Sequence, residues 1–469
     1  MDAFRSAVDW AAAIRRREVS STEVVGLYLD RIELLDPQLN AFVHRADDEV
    51  RAAARRADDI TAATPADDLP PFHGVPIAIK DLNNVAGWPT SYGSMGGSPD
   101  PVPADDLVVE RLRGAGFVFL GKTNTPELGT ISCTENERFG ATRNPWNTAH
   151  TPGGSSGGAG AATAAGLSPI AQASDGGGSI RIPASCNGLV GLKPSRNRIT
   201  NGVNPLEGFV TDGVVSRTVA DTAAALDVLA QPDPLFWYNA PPAGRSFADQ
   251  AREAPRRLRI GITATPSMPV PVDPEVLAVH ESTAALLAGL GHEVVPVELD
   301  MPDADLFVAS FTIVWNTGSA GLPIDVTKME PLNLALREQA MALDSVGYVE
   351  AVYRTQLLAR QIVAPFGRDF DVLLTPTMAC LPPEVGSVWA GADIDPVMPL
   401  LNCFPMAVFT AVWNVTGMPA ISLPLGRSAG GLPIGMQLVG GPWQDALVLQ
   451  LAAEIEAAAP WAADRPVVS

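Results

Sequence analysis

Apolar residues recur at helical spacing almost from the first residue. Across residues 3–61 this spacing predicts helices, and Ser20 followed by Glu23 forms a capping-box pattern directly ahead of Val24, Leu27, Ile32 and Leu35. A proline-rich stretch at 65–71 then leads into Val75-Pro76-Ile77-Ala78-Ile79-Lys80, a short apolar run that reads as a buried strand ending on a lysine. A charge closing an apolar strand calls for a partner or a task. Residues 106–114 read as helix and 117–120 as strand, whereas 152–191 are crowded with Gly, Ser and Ala. Too many apolar residues are interspersed there for a flexible linker.

Further along, 259–263 (strand), 274–290 (helix) and 292–299 (strand) form a βαβ pattern, and 338–364 are mostly helical. Strands at 371–374, 420–423 and 434–439 and a closing helix at 446–458 complete an α/β pattern without internal repeats. Residues 231–256, rich in Pro and Ala around Phe236-Trp237-Tyr238, predict either an interdomain linker or a long surface loop near the functional site.

Composition narrows the function classes. With 469 residues, of which 46% are hydrophobic and 18% charged, the chain can bury a large core, as a folded catalyst does. A net charge of −20 opposes the phosphate neutralisation that nucleic-acid binding requires, and the densest basic run, Arg15-Arg16-Arg17, reads as a solvated helix face beside Glu18. The four cysteines, Cys133, Cys186, Cys380 and Cys403, lack paired metal-ligand spacing and read as reduced, mostly buried thiols. The first ten residues carry Asp2, Arg5 and Asp9, and no uncharged apolar run reaches spanning length. The expectation is a cytoplasmic protein with no membrane, nucleic-acid, metal or cofactor partner, and with a homodimer left open.

Three motifs bear on chemistry. Gly116-Phe117-Val118-Phe119-Leu120-Gly121-Lys122-Thr123 satisfies the P-loop spelling G-x-x-x-x-G-K-S/T. The four intervening residues are themselves the strand, whereas a phosphate cradle needs a loop of free backbone N–H groups. Gly153-Gly154-Ser155-Ser156-Gly157-Gly158 matches G-x-S-x-G in two frames, but a Ser-His-Asp hydrolase needs a histidine downstream. Only His280 and His292 lie there, one inside a helical pattern and one before a strand. That reading stays as a runner-up.

The third is a constellation of Lys80, the Ser155-Ser156 run, and Ser179 in Ser174-Asp175-Gly176-Gly177-Gly178-Ser179-Ile180-Arg181. A hydroxyl attacks well only when a base takes its proton, and a lysine can be that base if burial disfavours its ammonium form. Gly176, Gly177 and Gly178 let successive N–H groups turn toward an oxygen on which charge develops.

These residues resemble the amidase-signature family closely. The resemblance rests on Gly74-Val75-Pro76-Ile77-Ala78-Ile79-Lys80-Asp81, the Gly-Gly-Ser-Ser-Gly-Gly run, and the segment from Asp175 through Pro183. It extends to Thr134-Glu135-Asn136, Asn144-Pro145-Trp146, Gly188-Leu189-Val190-Gly191-Leu192-Lys193-Pro194 and Gly431-Leu432-Pro433-Ile434-Gly435-Met436-Gln437-Leu438-Val439-Gly440, covering essentially the whole chain. It implies one α/β domain over 1–469, a central twisted mixed sheet wrapped by helices. Its parts are a helical segment (1–62), a signature core (63–225) and a remainder that completes sheet and pocket (226–469).

The resemblance also implies roles. Ser179 falls on the acylated nucleophile, Ser155 on the bridging serine after a cis peptide bond, and Lys80 on the general base. Ser156, Asp175 and Arg181 fall on supporting positions, the last two as a charged pair bracing the nucleophile loop. The implied reaction is hydrolysis of an amide, anilide or carbamate carbon–nitrogen bond in a neutral small molecule. Gly176 stands where many relatives carry a β-branched residue, a form similar to the branch of 6-aminohexanoate-cyclic-dimer hydrolases and urethane-cleaving amidases, and it suggests extra room beside the carbonyl. The alternative within the resemblance is the glutaminase-like subunit of a tRNA-dependent amidotransferase. Thr130, Ile131 and Ser132 are candidate substrate contacts, as are Phe236 to Tyr238, Trp315 with Asn316, and Trp413 with Asn414.

Overall fold

The computed structural model describes residues 1–203, 205–299 and 304–469. Its strands are β1 (Phe42–His44), β2 (Pro76–Lys80), β3 (Val118–Thr123), β4 (Ile170–Asp175), β5 (Val190–Lys193), β6 (Thr211–Ser216), β7 (Arg259–Ile262), β8 (Glu293–Pro296), β9 (Val372–Pro376), β10 (Ala420–Arg427) and β11 (Pro433–Gly440). They form one eleven-stranded sheet in the order β1-β3-β2-β4-β6-β5-β10-β11-β9-β7-β8. The sheet is mixed: β3-β2-β4 and β9-β7-β8 run parallel within each group, and the strands between them pair antiparallel. Helices wrap it, so β2 to β6 are buried along their whole length and read as continuous apolar runs instead of alternating ones.

This topology positions the site. Because β2 and β4 are parallel neighbours, their carboxyl ends, Lys80 and Asp175, reach the same edge of the sheet, where open α/β sheets place ligands. Antiparallel β6 brings its amino end to that edge, with Asp212 opposite Ser174.

The capping box forms as expected: the Ser20 hydroxyl accepts from Glu23 N and the Glu23 carboxylate accepts from Ser20 N at the head of helix Ser21–Leu39. One expectation needs correction: the helical region 3–61 is interrupted by β1, which pairs with β3. The stretch 338–364 is mostly helical as expected, divided between two helices, Pro331–Ala342 and Ser345–Val363. Asp344 starts the second by accepting from Gly347 N at 2.7 Å, because its side chain competes for backbone donors and favours a cap over a helix interior.

Helices Gly157–Ala164, Arg181–Asn187 and Val219–Leu229 and strands β4 to β6 are elements the sequence pattern left without definition. Gly157–Ala164 is buried on every side, so it has no polar face to reveal a period. Residues 231–256 join β6 to β7 within the one sheet, and Trp237 at their tip is 88% exposed. They form a surface connection and do not separate two sheets. Among the described residues no helix is long and apolar enough to cross a membrane.

Candidate active site

Lys80 ends β2 with its side chain completely buried. Its Nζ donates to Ser155 Oγ at 2.7 Å and to Ser174 Oγ at 3.0 Å, and its backbone N–H donates to Gln172 Oε1 at 3.0 Å. Among the described residues no carboxylate lies within ion-pair distance of this Nζ. Burial pushes its pKa down to about 7, with the more distant Asp212 and Asp175 pulling weakly the other way. A lysine held so can be neutral near neutral pH.

Ser155 follows a cis peptide bond from Gly154 and precedes helix Gly157–Ala164. Its neighbour Ser156 fastens this turn to β4: the Ser156 hydroxyl donates to Ser174 O at 3.2 Å and accepts from Ser174 N at 3.3 Å. Ser179 sits on the turn between β4 and helix Arg181–Asn187. Ser155 and Ser179 line one cleft, although no hydrogen bond joins their hydroxyls among the described residues.

The turn carrying Ser179 is braced by a fully buried, forked ion pair. Arg181 Nε and Nη2 each donate to an Asp175 carboxylate oxygen at 2.9 Å. Burial works against the Asp175 carboxylate, but Arg181, helped by Asn414 and Lys193, outweighs it and holds the group at about 2. The remaining guanidinium protons go to Thr410 O (2.9 Å), Gln437 Oε1 (2.8 Å) and Asn414 Oδ1 (2.7 Å), while Asn414 Nδ2 donates back to Asp175 O at 3.0 Å. Every charge in the brace is therefore satisfied.

The three glycines divide in their tasks. Gly178 N–H donates to Asp175 Oδ1 at 2.8 Å, so it is already engaged, and its φ of +133° with a would-be Cβ 2.3 Å from Thr410 Oγ1 admits only glycine. No internal partner takes the amides of Gly176, Gly177 and Ser179 among the described residues. A Cβ on Gly176 would meet Trp315 Cζ3 at 2.8 Å and Val210 Cγ2 at 3.0 Å. The extra room expected beside the carbonyl is thus filled by an indole ring, a correction that only the packing could supply.

Thr130, Ile131 and Ser132 line an apolar cleft beside Ser179 together with Trp315. The other pocket candidates fall elsewhere: Phe236 to Tyr238 line neither cleft at Ser179, Asn316 is buried against Gln339, and Trp413 packs against Phe366 in the core. The histidines also stay away from both clefts. His280 is buried within helix Pro274–Gly289, and His292 pairs with Glu454 at 2.8 Å. Lys122 of the P-loop spelling lies in β3, where its Nζ is 2.9 Å from Asp81 Oδ1 in a buried ion pair. The four thiols are free, and among the described residues no group of three His, Cys, Asp or Glu side chains is placed to hold a metal ion.

Sequence reasoning passed over Gln172, Ser174 and Asp212. Gln172 links Lys80 to Asp212 by accepting from the Lys80 backbone and donating to Asp212 Oδ1 at 2.8 Å. Asp212 is buried, and burial pushes its carboxyl up to about 7. For Gln172 and Ser174 a signal did exist: in Ile170-Ala171-Gln172-Ala173-Ser174 polar residues at alternate positions mark one face of the strand.

The chain is 41% identical over 478 residues to a Mycobacterium tuberculosis protein bearing the amidase name AmiC, covering 97% of this chain and 95% of that one. The solved structure of 6-aminohexanoate cyclic dimer hydrolase with its substrate superposes with a TM-score of 0.93 at 34% identity over the full length of both chains. A bacterial aryl acylamidase of the amidase-signature enzymes superposes with a TM-score of 0.88 at 28% identity, covering 99% of each chain. With the sequence model of the Amidase family matching residues 23–449 as well, the chain belongs to the amidase-signature family of hydrolases that act on amide bonds.

Proposed function

We propose that this protein is a serine amidohydrolase that cleaves neutral, largely apolar amides or anilides through an acyl-enzyme on Ser179. The observation that carries this reading is the buried Lys80 Nζ, which donates at 2.7 Å to Ser155 in the cleft that Ser179 also lines. In the proposed sequence Ser179 Oγ attacks the carbonyl carbon as its proton passes to Ser155, and the Ser155 proton passes to neutral Lys80. Seating the substrate turns the Ser179 hydroxyl toward Ser155, since catalytic hydrogen bonds tighten in the complex. The amides of Gly176, Gly177 and Ser179 receive the oxyanion, each such donor being worth about 3 kcal/mol in the transition state. Collapse breaks the C–N bond, Ser155 returns a proton to the departing nitrogen, and water then releases the acyl group from Ser179.

The apolar cleft favours uncharged acyl groups. A carbamate adds one oxygen on the acyl side, which this cleft has to house because Trp315 fills the space over Gly176. For the glutaminase-like reading, neither cleft is lined by Lys or Arg among the described residues, so the carboxylate of glutamine would lack a counter-charge. The neighbours support the reading by name, one acting on an aminohexanoate cyclic dimer and one being an aryl acylamidase. The test compares kcat/KM for a nitroanilide, an aliphatic amide, an aryl carbamate and glutamine on one preparation. The uncharged anilide and amide are expected to lead, and a clear preference for glutamine would replace this reading by the amidotransferase subunit.

Two further outcomes follow from the chemistry of Lys80. The reactive form is the neutral amine, so activity is lost as Lys80 gains its proton and kcat/KM should rise as pH climbs through about 7. Asp212 titrates in the same network, so the midpoint belongs to both groups, and a midpoint near the ordinary lysine value of 10.5 would reject the neutral base. Activity should also be unchanged after dialysis against a chelator, and loss restored by zinc would reject the mechanism.

A further inference from the structure

Two clefts that differ in their polar groups meet at Ser179. One is walled by Ile131, Met268, Phe307, Phe311 and Phe404, and among its described lining the polar side chains are uncharged hydroxyls. The other, which also has leucine walls, adds the amides of Asn83 and Asn201 and the carboxyl of Asp212. Ser155 and Ser174, the two hydroxyls that accept from Lys80 Nζ, open onto this second cleft only.

Trp315 lines both clefts and stands between them. Its ring lies so close over Gly176 that a Cβ there would fall 2.8 Å from Cζ3. It is stacked on Phe311 at 5.5 Å and 20°, and Phe311 is stacked on Phe209 at 6.0 Å and 7°. A ring backed by two others and seated on a glycine has little freedom to swing aside.

Direction follows from proton delivery. On the proposed mechanism the departing nitrogen takes its proton from Ser155, and Ser155 opens onto the cleft that carries Asp212, so the amine leaves there and the acyl chain lies in the phenylalanine-walled cleft. We infer, resting on the amidase reading above, that Trp315 is a partition which fixes substrate direction. The preferred substrate class is then an amide joining an apolar acyl chain to an amine that carries hydrogen-bonding groups. Asp212 accepts from Gln172 on one oxygen and from Asn201 on the other, with Asn83 as a further donor, and the carboxylate keeps acceptor capacity for a hydroxyl on that amine. On the other side of the partition only the uncharged hydroxyls of Thr130, Ser132, Ser267 and Thr312 stand among the phenylalanine rings, so an apolar acyl chain is the better match.

The experiment uses two constitutional isomers, N-hydroxyethyl hexanamide and N-hexyl glycolamide, which exchange the apolar and polar ends across one amide bond. Wild-type enzyme is expected to hydrolyse the first with kcat/KM at least roughly 10-fold above the second, the order of discrimination that a mismatched pocket provides. Trp315→Ala should shrink this ratio several-fold by gaining on N-hexyl glycolamide, and Trp315→Phe, which keeps a stacked ring, should retain most of it. Equal or reversed wild-type rates would overturn the inference, as would a Trp315→Ala enzyme with the full ratio. Turnover of a nitroanilide with neither isomer cleaved would overturn the partition alone, whereas loss of all three activities would overturn the amidase reading beneath it.

Discussion

Ser179→Ala and Lys80→Ala are each expected to lower kcat by at least roughly 10⁴-fold, to the level that binding and the oxyanion amides sustain alone. On the proposed mechanism Ser179 forms the acyl bond and Lys80 is the base in contact with the relay, and neither would have a substitute within hydrogen-bond reach. Ser155→Ala should leave more activity than either, because a water in the vacated space can carry the proton without taking part in the acyl bond. The three act as a unit, so the double variant Ser179→Ala/Lys80→Ala should be little worse than either single one. The measurement is saturating turnover of all four variants, with intact mass after reaction with a covalent serine inhibitor. Near-normal activity in Ser179→Ala, or an adduct on Ser155 or Ser156, would reassign the nucleophile.

The second large effect is on stability. Arg181→Ala removes the cation from a completely buried carboxylate that also anchors the amides of Gly178 and Ile180. Breaking a buried pair from one side costs about 3–5 kcal/mol, because the stranded charge must be protonated or rehydrated. The variant should unfold at clearly lower denaturant and should lose activity as the Ser179 turn loosens. Arg181→Lys keeps the charge but not the fork, so it should fall between wild type and Arg181→Ala. In the double variant Asp175→Asn/Arg181→Met no charge is stranded, and the loss should be smaller than the sum of the single losses. Denaturant midpoints for the set decide the matter: an Arg181→Ala protein within about 1 kcal/mol of wild type would mean that the pair is not the brace.

Several elements were legible because their signals are local. The capping box at Ser20 and Glu23 is satisfied within one helical turn, and the apolar run ending at Lys80 can only be a buried strand carrying its charge to an edge. Other elements were hidden because burial on all sides erases periodicity. Gly157–Ala164 has no exposed face, and β5 and β6 lie in the middle of a sheet covered on both sides. Phe236 to Tyr238 show the opposite error: aromatic residues suggested a pocket, but the segment lies on the surface with Trp237 pointing to solvent.

The amino-acid sequence by itself determined the family, the mixed α/β class and the chemical candidates Lys80, Ser155 and Ser179. These rest on short runs whose meaning is set by neighbours a few residues away, such as a strand-end charge, a glycine-rich turn or an acid and an arginine six positions apart. Only the tertiary structure decided which glycine amides stay free, which acid sits near the lysine, and what fills the space over Gly176. Gly178 is taken by Asp175, Asp212 arrives through antiparallel pairing with β4, and Trp315 comes from helix Ala304–Thr317, far along the chain. A missing side chain reads as room until the packing shows what occupies it, because close-packed interiors leave few voids and the occupant belongs to another element.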